Sequence, residues 1–256
     1  KDNSNIEQNF IKGEKNMLFT INKELDISLL RSQYEKSKSI VIEDFLDDKS
    51  VETLYNFFTN DMPEDWWHTS YRIPSLNNDV QHIRRTAENV KHINNIYNFG
   101  WKDFNKGLFT YIFDRSLNHY SSCTCIECKF KQFLVSDEMK TFIYNITGEK
   151  ITTLGEVFSS RYTSGQFLSP HHDIDKGKFS LVYSLSKNWK PEWGGNLYLL
   201  EDDWVTIKKC ILSSYNRLAL TLMNSPIQGK KGTPHFVSQI ANGVTEPRLS
   251  ITGWVS

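Results

Sequence analysis

The sequence Arg161-Tyr-Thr-Ser-Gly-Gln-Phe-Leu-Ser-Pro-His-His-Asp173 lies in a region of short strand-like runs separated by turns. These runs begin at about residue 151 and are rich in β-branched and aromatic residues. Turn signals separate them at 163–165, 175–177, 193–195, 225–232 and 242–243. This regular spacing favours a sandwich or barrel, including the jelly roll, in which eight antiparallel strands form two facing sheets.

The apolar periodicity before residue 150 is mainly helical. Asp47 or Asp48 can cap one helix, and Ser136 can cap another that Gly148 ends. The same patterns predict a helix across 104–113, a solvated helical face at 82–85 and a short strand at 39–43. The expected architecture is therefore α+β, with a mainly β core and amino-terminal helices packed outside it.

The 256 residues are expected to form one domain over 17–256. Within it, 17–150 would be a mainly helical support and substrate-side layer, and 151–256 the jelly-roll core. Residues 1–16 are rich in Lys, Asn, Asp and Glu, which is typical of a disordered lead-in.

The charge balance and cysteine content restrict the class of protein. Lys plus Arg and Asp plus Glu number 30 each, so no overall field attracts nucleic acid or an anionic membrane. No apolar run approaches the roughly 20 residues that cross a bilayer. Four cysteines, three of them crowded together, do not resemble a secreted disulfide framework, so we expect a soluble cytoplasmic protein.

The motif His171-His172-Asp173 offers two metal ligands. Side chains alternate faces along a strand, so His171 and Asp173 project together while His172 points away. One more imidazole, for which His235 is the candidate, would complete a two-His-one-carboxylate triad with open positions on Fe(II). His-x-Asp alone is weak evidence, since a surface His beside a turn-capping Asp is common. The alternative for His235 is a core histidine whose ring is satisfied by the backbone.

The last strand-like run places a cation and two hydroxyl groups on one face. Arg248, Ser250 and Thr252 share that face, and Leu249 and Ile251 share the other. A guanidinium with neighbouring hydroxyls suits a buried carboxylate, because it offers two parallel donors. The alternative is that Arg248 is an ordinary strand residue in a salt bridge.

Together these residues resemble the Fe(II)/2-oxoglutarate oxygenases of the prolyl hydroxylase type, over about residues 156–256. The likeness lies in the order of the motifs: His-x-Asp, a Gly-Gly turn, a distal His, and an Arg about a dozen residues later. The matching segments are 161–173, 181–185, Trp189, 193–197, His235 and 248–254.

The resemblance implies a double-stranded β-helix, Fe(II) as cofactor, 2-oxoglutarate and O₂ as co-substrates, and ascorbate as a candidate reductant. It implies that Tyr162 and Thr252 help Arg248 to bind 2-oxoglutarate. Ser184 stands where well-known animal members have a Tyr that contacts 2-oxoglutarate, so the contacts in this chain are expected to differ. Tyr183 lies on the opposite face of that strand.

The expected activity is hydroxylation of an aliphatic carbon, with a peptidyl-prolyl substrate favoured by the resemblance. A small metabolite or an N-methyl group are alternative substrates for the same chemistry. A catalytically silent metal-binding jelly-roll module is the alternative from another functional class.

Two further clusters have open interpretations. Trp66, Trp67 and Tyr71 are candidate substrate-binding residues, although adjacent tryptophans more often serve packing. The second cluster could bind zinc, but its ligands are crowded, so we favour an ordinary reduced loop without zinc. It comprises Cys123, Cys125 and Cys128, with His119 nearby.

Overall fold

The computed structural model describes residues 18–117, 122–173, 176–223 and 232–256, so the predicted lead-in at 1–16 lies outside the described residues. The described helices are α1 (Ile27–Ser37), α2 (Asp48–Asn56), α3 (Val90–Asn105), α4 (Ile126–Phe133) and α5 (Asp137–Thr147). Short helical turns lie at Phe57–Asp61, Glu64–Trp66, Ala87–Asn89 and Pro191–Trp193. Among the described helices, none combines the length and the apolar surface that crossing a membrane requires.

Twelve β-strands lie in the same described ranges. They are β1 (Ser39–Ile42), β2 (Trp67–Ile73), β3 (Asn77–Arg84), β4 (Tyr111–Ser116), β5 (Leu154–Tyr162), β6 (Phe167–His171), β7 (Phe179–Ser184), β8 (Leu197–Leu200), β9 (Ile207–Ile211), β10 (Arg217–Leu222), β11 (His235–Val237) and β12 (Arg248–Val255).

Eight strands of the second half form the predicted jelly roll. The order β5, β12, β7, β10 makes one half of the barrel, and β6, β11, β8, β9 makes the other. β4 pairs with both β5 and β6 and so joins the two halves. The result is a nearly closed antiparallel barrel, which confirms the double-stranded β-helix fold with a mainly β core.

The first half of the chain adds strands as well as helices. β1 extends the sheet beside β10, and β2 pairs with both β3 and β4. The predicted strand at 39–43 and two helix starts are confirmed. Asp47 Oδ1 accepts a hydrogen bond from the Ser50 amide at 2.8 Å, and Ser136 Oγ accepts one from the Met139 amide at 3.2 Å.

Two predictions for the first half are wrong. The segment 104–113 is not one helix, because α3 ends at Asn105 and Gly107 adopts a φ of 73°, outside the right-handed helical region. Ile112 is instead fully buried in β4. The segment 82–85 belongs largely to strand β3, whose pairing with β2 is a long-range contact that a helical period cannot reveal.

Two apolar layers lie on the two sides of the sheet. The outer layer packs α1, α2, α4 and α5 against the barrel, and Phe45, Phe130 and Tyr183 are buried there. The inner layer fills the space between the two halves with residues such as Phe158 and Trp254. The helices therefore cover one face of the sheet, as predicted, and the barrel interior remains available for a site.

Candidate functional site

The predicted metal ligands meet at the end of β6. His171 is the last residue of this strand, and it pairs directly with His235, the first residue of β11. Asp173 follows two residues later, with its carboxylate oxygens 3.7 Å from His171 Nε2 and 3.3 Å from His235 Nε2. The candidate ligand atoms of the three residues all lie within 4.8 Å of one another. His172 lies outside this group, and its ring packs edge-on against Trp204.

Backbone carbonyl groups fix the orientation of both imidazoles. His171 Nδ1 lies 3.0 Å from the Ser169 carbonyl oxygen, and His235 Nδ1 lies 3.0 Å from the Thr233 carbonyl oxygen. A carbonyl oxygen only accepts, so each Nδ1 must carry the proton and donate. In the neutral imidazole with its proton on Nδ1, Nε2 has the free lone pair that a metal needs, and both Nε2 atoms face Asp173.

The ionisation of the cluster suits a cation. Burial lowers the pKa of the His171 imidazole, and the neighbouring His235 lowers it further. Burial alone would raise the pKa of Asp173, but the hydrogen bond with His235 and the two imidazoles lower it overall. At neutral pH His171 is therefore neutral and Asp173 is ionised.

These three residues line a cavity of about 400 Å³ inside the barrel, which Arg248 also lines. A cavity of this size is typical of small-molecule sites. Arg72, Arg115 and Lys176 lie in the same lining, so basic side chains outnumber the acidic Asp173. The balance of charge favours an anionic ligand.

Arg248 is buried without a carboxylate partner in the described part of the chain. Arg248 is 3% exposed. Its Nη1 donates to Ser250 Oγ at 2.8 Å, and its guanidinium carbon lies 5.0 Å from the centre of the Tyr162 ring. The Nε atom has no hydrogen-bond partner. A buried cation with an unsatisfied donor is costly, unless an anionic ligand completes the site.

The Gly194-Gly195 turn makes room for this guanidinium. Gly195 has a φ of 67°, and a Cβ atom there would lie 3.0 Å from Arg248 Cδ and 2.4 Å from Ile240 Cδ1. Gly194 has a φ of 75°, and a Cβ atom would lie 2.0 Å from the Gln239 carbonyl oxygen. Only glycine fits both positions, which explains the Gly-Gly pair between the two metal motifs.

Residues 157–256 match a family model described as the 2OG-Fe(II) oxygenase superfamily. The matched range contains the His171, Asp173 and His235 cluster and the buried Arg248. The matched part of the chain, 157–256, is similar to a 2OG-Fe(II) oxygenase domain. The protein is thus a dioxygenase, and the family implies Fe(II) as its metal and 2-oxoglutarate and O₂ as its co-substrates.

Solved structures with low sequence identity share the fold of this oxygenase. A 2OG-Fe(II) oxygenase family oxidoreductase from Burkholderia pseudomallei has a TM-score of 0.59 at 11% identity, and the match covers 93% of both chains. A prolyl hydroxylase from Trichoplax adhaerens, solved with a hypoxia inducible factor oxygen degradation domain peptide fragment, has a TM-score of 0.55 at 16% identity, covering 90% of this chain and 88% of that chain.

A Pseudomonas putida prolyl-4-hydroxylase has a TM-score of 0.50 at 14% identity, and covers 90% of this chain and 98% of its own. Identities this low support the fold alone. No curated protein sequence matches the chain significantly.

The other predicted co-substrate residues also face the oxygenase cavity. Tyr162 pairs with Arg248 across β5 and β12, and Thr252 lies four residues further along β12. Burial raises the pKa of the Tyr162 phenol, so it stays protonated. Ser184 is buried, and it is Val182 of the same strand that lines the cavity. Tyr183 points to the outer layer, where its hydroxyl donates to Asn216 Oδ1 at 2.8 Å.

Tyr111 is a cavity residue that the sequence did not reveal. It begins β4 and lies between Phe109 and Phe113, with ring centres 5.8 and 5.5 Å away. Burial raises its pKa to about 12, so this phenol is a hydrogen-bond donor inside the cavity. The period-two pattern of Phe109, Tyr111 and Phe113 was a usable signal, but the helical prediction for 104–113 hid it.

The predicted substrate residues Trp66, Trp67 and Tyr71 are not part of the cavity lining. Trp67 and Tyr71 are buried in apolar clusters, and Trp66 packs against the outer layer. The aromatic side chains of Trp67 and Tyr71 on β2 face inward as packing residues, so the structure does not bring them to this cavity. Arg72, the next residue along β2, lines the cavity in their place.

The three clustered cysteines come together away from the oxygenase cavity. Their sulfur atoms lie within 4.8 Å of one another, and all three residues are half-buried. His119, the fourth residue of the predicted cluster, lies outside the described residues.

Proposed function

We propose that this oxygenase is a hydroxylase of an unactivated aliphatic carbon, with a peptidyl-prolyl substrate favoured. His171, Asp173 and His235 would bind the iron, and Arg248, Tyr162 and Thr252 would bind 2-oxoglutarate. The single observation that carries this assignment is the buried Arg248, whose Nε atom lacks a partner in the same cavity as the three candidate ligands.

The donor set fits Fe(II). Two imidazole nitrogens and one carboxylate form a facial set that leaves coordination positions for a bidentate 2-oxo acid and O₂. The Nδ1 hydrogen bonds to the Ser169 and Thr233 carbonyl oxygens keep both Nε2 atoms directed at a shared point. The ionised carboxylate of Asp173 supplies a negative charge there.

When bound, Fe(II) with 2-oxoglutarate and O₂ supplies the oxidising chemistry that places one oxygen atom in the substrate C–H bond and the other in succinate, with release of CO₂. The chain's own contribution is to bind and orient. The Arg248 guanidinium can offer two parallel donors to the distal carboxylate of 2-oxoglutarate. Ser250 Oγ, held by Ser160 Oγ at 2.8 Å, keeps the guanidinium in place.

The protonated phenols of Tyr162 and Tyr111 are further donors for carboxylate oxygens. Because Tyr111 lies on β4, it can take over a contact that Ser184 on β7 is too short to make. The aromatic walls around these hydroxyls exclude water from the cavity, which strengthens each charged contact.

The peptide preference rests on the motif likeness and on residues at the cavity mouth. Arg72 and Phe109 lie there, with the guanidinium carbon 5.1 Å from the ring centre, and Phe109 stacks on His171 with ring centres 5.5 Å apart. Both residues remain partly exposed. An accessible pair of this type beside the metal cluster suits a segment that enters from outside.

Metal and co-substrate binding can be tested together without a substrate. We expect Fe(II) and 2-oxoglutarate, added anaerobically to the wild type, to give a visible charge-transfer band. His171→Ala should abolish it, whereas His172→Ala, which changes the adjacent imidazole outside the cluster, should retain it. No band in fully loaded wild type, or an unchanged band in His171→Ala, would contradict the assignment.

The reaction itself is tested by succinate formation with a panel of proline-containing peptides and aliphatic metabolites. A peptide product that has gained one oxygen atom at proline supports the proposal in full. An oxidised metabolite or released formaldehyde would keep the chemistry and overturn the peptide preference. Absence of succinate with every candidate would favour a silent metal-binding module.

A further inference from the structure

The cysteine cluster lies at the start of α4, and none of its three residues lines the oxygenase cavity. Cys125 is the residue before the first helical residue, and Cys128 lies in the first turn. Cys123 precedes them in the connection from β4. Three thiol groups from one short segment therefore converge on one point, with every sulfur within 4.8 Å of the others.

The sulfur separations are compatible with a shared metal ion. Zinc binds cysteine sulfur at about 2.3 Å in tetrahedral geometry, which places two bound sulfurs roughly 3.8 Å apart. A disulfide needs sulfurs at about 2.0 Å and uses two of them, which would leave the third thiol unused. None of the four cysteines, all of which lie in the described residues, takes part in a disulfide.

The first turn of α4 is also fixed firmly enough to preorganise such a site. The buried Glu127, between Cys125 and Cys128, accepts hydrogen bonds from Ser116 Oγ at 2.5 Å and Ser159 Oγ at 3.0 Å. Lys131 Nζ lies 3.1 Å from the same carboxylate oxygen. These contacts attach the helix start to the end of β4 and to the middle of β5, so two of the three thiols lie on an anchored backbone.

Burial and the neighbouring thiols raise the pKa of Cys125 and Cys128, so without a metal both thiols are protonated. The helix dipole at the start of α4 stabilises negative charge there. Metal binding would displace the proton of each thiol, and the metal cation would neutralise the resulting charge.

We propose that Cys123, Cys125 and Cys128 bind one Zn²⁺ ion through three thiolates, with a fourth ligand from outside this trio. The role of the ion is structural: it ties the connection after β4 to the start of α4. This site is separate from the iron site and does not depend on the proposed hydroxylase activity.

The direct test is the zinc content of the full chain after a mild chelator has removed iron. We expect about one zinc per chain in wild type, and loss of that zinc in Cys125→Ser. Cys210→Ser is the matched control, because it removes the remaining cysteine, which is exposed on β9. His171→Ala should retain the zinc, which excludes zinc that has entered the iron site.

Background zinc in wild type, or equal zinc in wild type and Cys125→Ser, would overturn the proposal. A second measurement avoids variants that fail to fold. In wild type, alkylation mapped by mass spectrometry should modify Cys210 at once, and the other three cysteines together only after a strong chelator. Prompt alkylation of all four before chelation, or a disulfide within the trio after reducing purification, would contradict zinc binding.

Discussion

Arg248 and Asp114 are both buried charged residues of the barrel, yet their surroundings are opposite. Asp114, on β4, is fully buried, and its carboxylate accepts hydrogen bonds from Thr69, Gln166 and Arg161 at 2.8 to 3.3 Å. Arg85 Nη1 lies 3.2 Å from the same carboxylate. Arg248 has one hydroxyl acceptor, Ser250, and an Nε atom without a partner.

This difference in partners distinguishes a buried charge that stabilises the fold, Asp114, from a buried charge that is suited to bind a ligand, Arg248. The partners of Asp114 lie on β2, on β5, just before β6 and just after β3. Its charge is therefore neutralised within the chain, and these contacts connect those segments. The charge of Arg248 has no such compensation in the described residues. A buried charge is tolerated when its partner arrives with a ligand, and here the ligand would be a carboxylate.

Removing the charge of Asp114 should give the largest change in stability. Asp114→Asn would leave Arg85 and Arg161 facing a neutral amide in a buried position. We expect the free energy of unfolding to fall by about 3 kcal/mol, since breaking one partner of a buried ion pair leaves an uncompensated charge. Urea unfolding measures this value, and a loss below ~1 kcal/mol would show that the cluster is not a structural centre.

The matching change at Arg248 should have the opposite sign. Arg248→Met removes a buried cation and keeps an unbranched side chain of similar length. Without 2-oxoglutarate, we expect the free energy of unfolding to rise by about 1 kcal/mol, because the cost of burying the cation is removed. A large loss of stability in urea unfolding would mean that Arg248 is a structural residue like Asp114.

The exposed edge of the Asp114 cluster should contribute least. Glu64 accepts hydrogen bonds from Arg161 Nη1 and Nη2, both at 2.7 Å, while its own side chain is 59% exposed. Burial alone would raise the pKa of Glu64, but the hydrogen bonds and charges of Arg161 and Arg85 lower it overall. Solvent screens this pair, so its contribution should be about 0.5 kcal/mol.

The sign of its pH dependence follows from the lowered pKa. A carboxyl group whose pKa is lower in the folded state stabilises the fold when the pH is above its unfolded pKa of about 4.3. That stabilisation is lost as the pH falls through the folded pKa. The difference in unfolding free energy between wild type and Glu64→Gln should therefore be constant above about pH 5 and should decrease toward zero in more acidic solution. A difference that grows toward acidic pH would contradict the ion pair.

The sequence predicted the residues of the Arg248 region better than those of the Asp114 region. The candidate iron and co-substrate residues lie within short motifs whose spacing is typical of a metal site. The alternation along β12 also predicted that Arg248, Ser250 and Thr252 share one face. The Asp114 cluster depends on pairing among β2, β4 and β5, and such long-range contacts leave no local pattern. For the same reason Tyr111 was hidden in a segment with an accidental helical period.

Local helix boundaries were predictable because capping is a local interaction. Asp47, Ser136 and Gly148 occupy the expected cap positions. The failed segment 104–113 contained Gly107, whose left-handed conformation ends the helical region before β4 begins. Trp67 and Tyr71 could not be assigned from sequence, because an aromatic residue on a strand packs equally well into a core or a binding groove.

We propose that Arg248 binds the distal carboxylate of 2-oxoglutarate. The most direct test compares binding of 2-oxoglutarate and 2-oxopentanoate, which has the same chain without that carboxylate, by anaerobic titration of the iron-loaded wild type and Arg248→Met. We expect wild type to prefer 2-oxoglutarate about 100-fold, equivalent to ~2.7 kcal/mol, and the variant to bind both ligands almost equally. An equal preference in wild type and variant would contradict this role of Arg248.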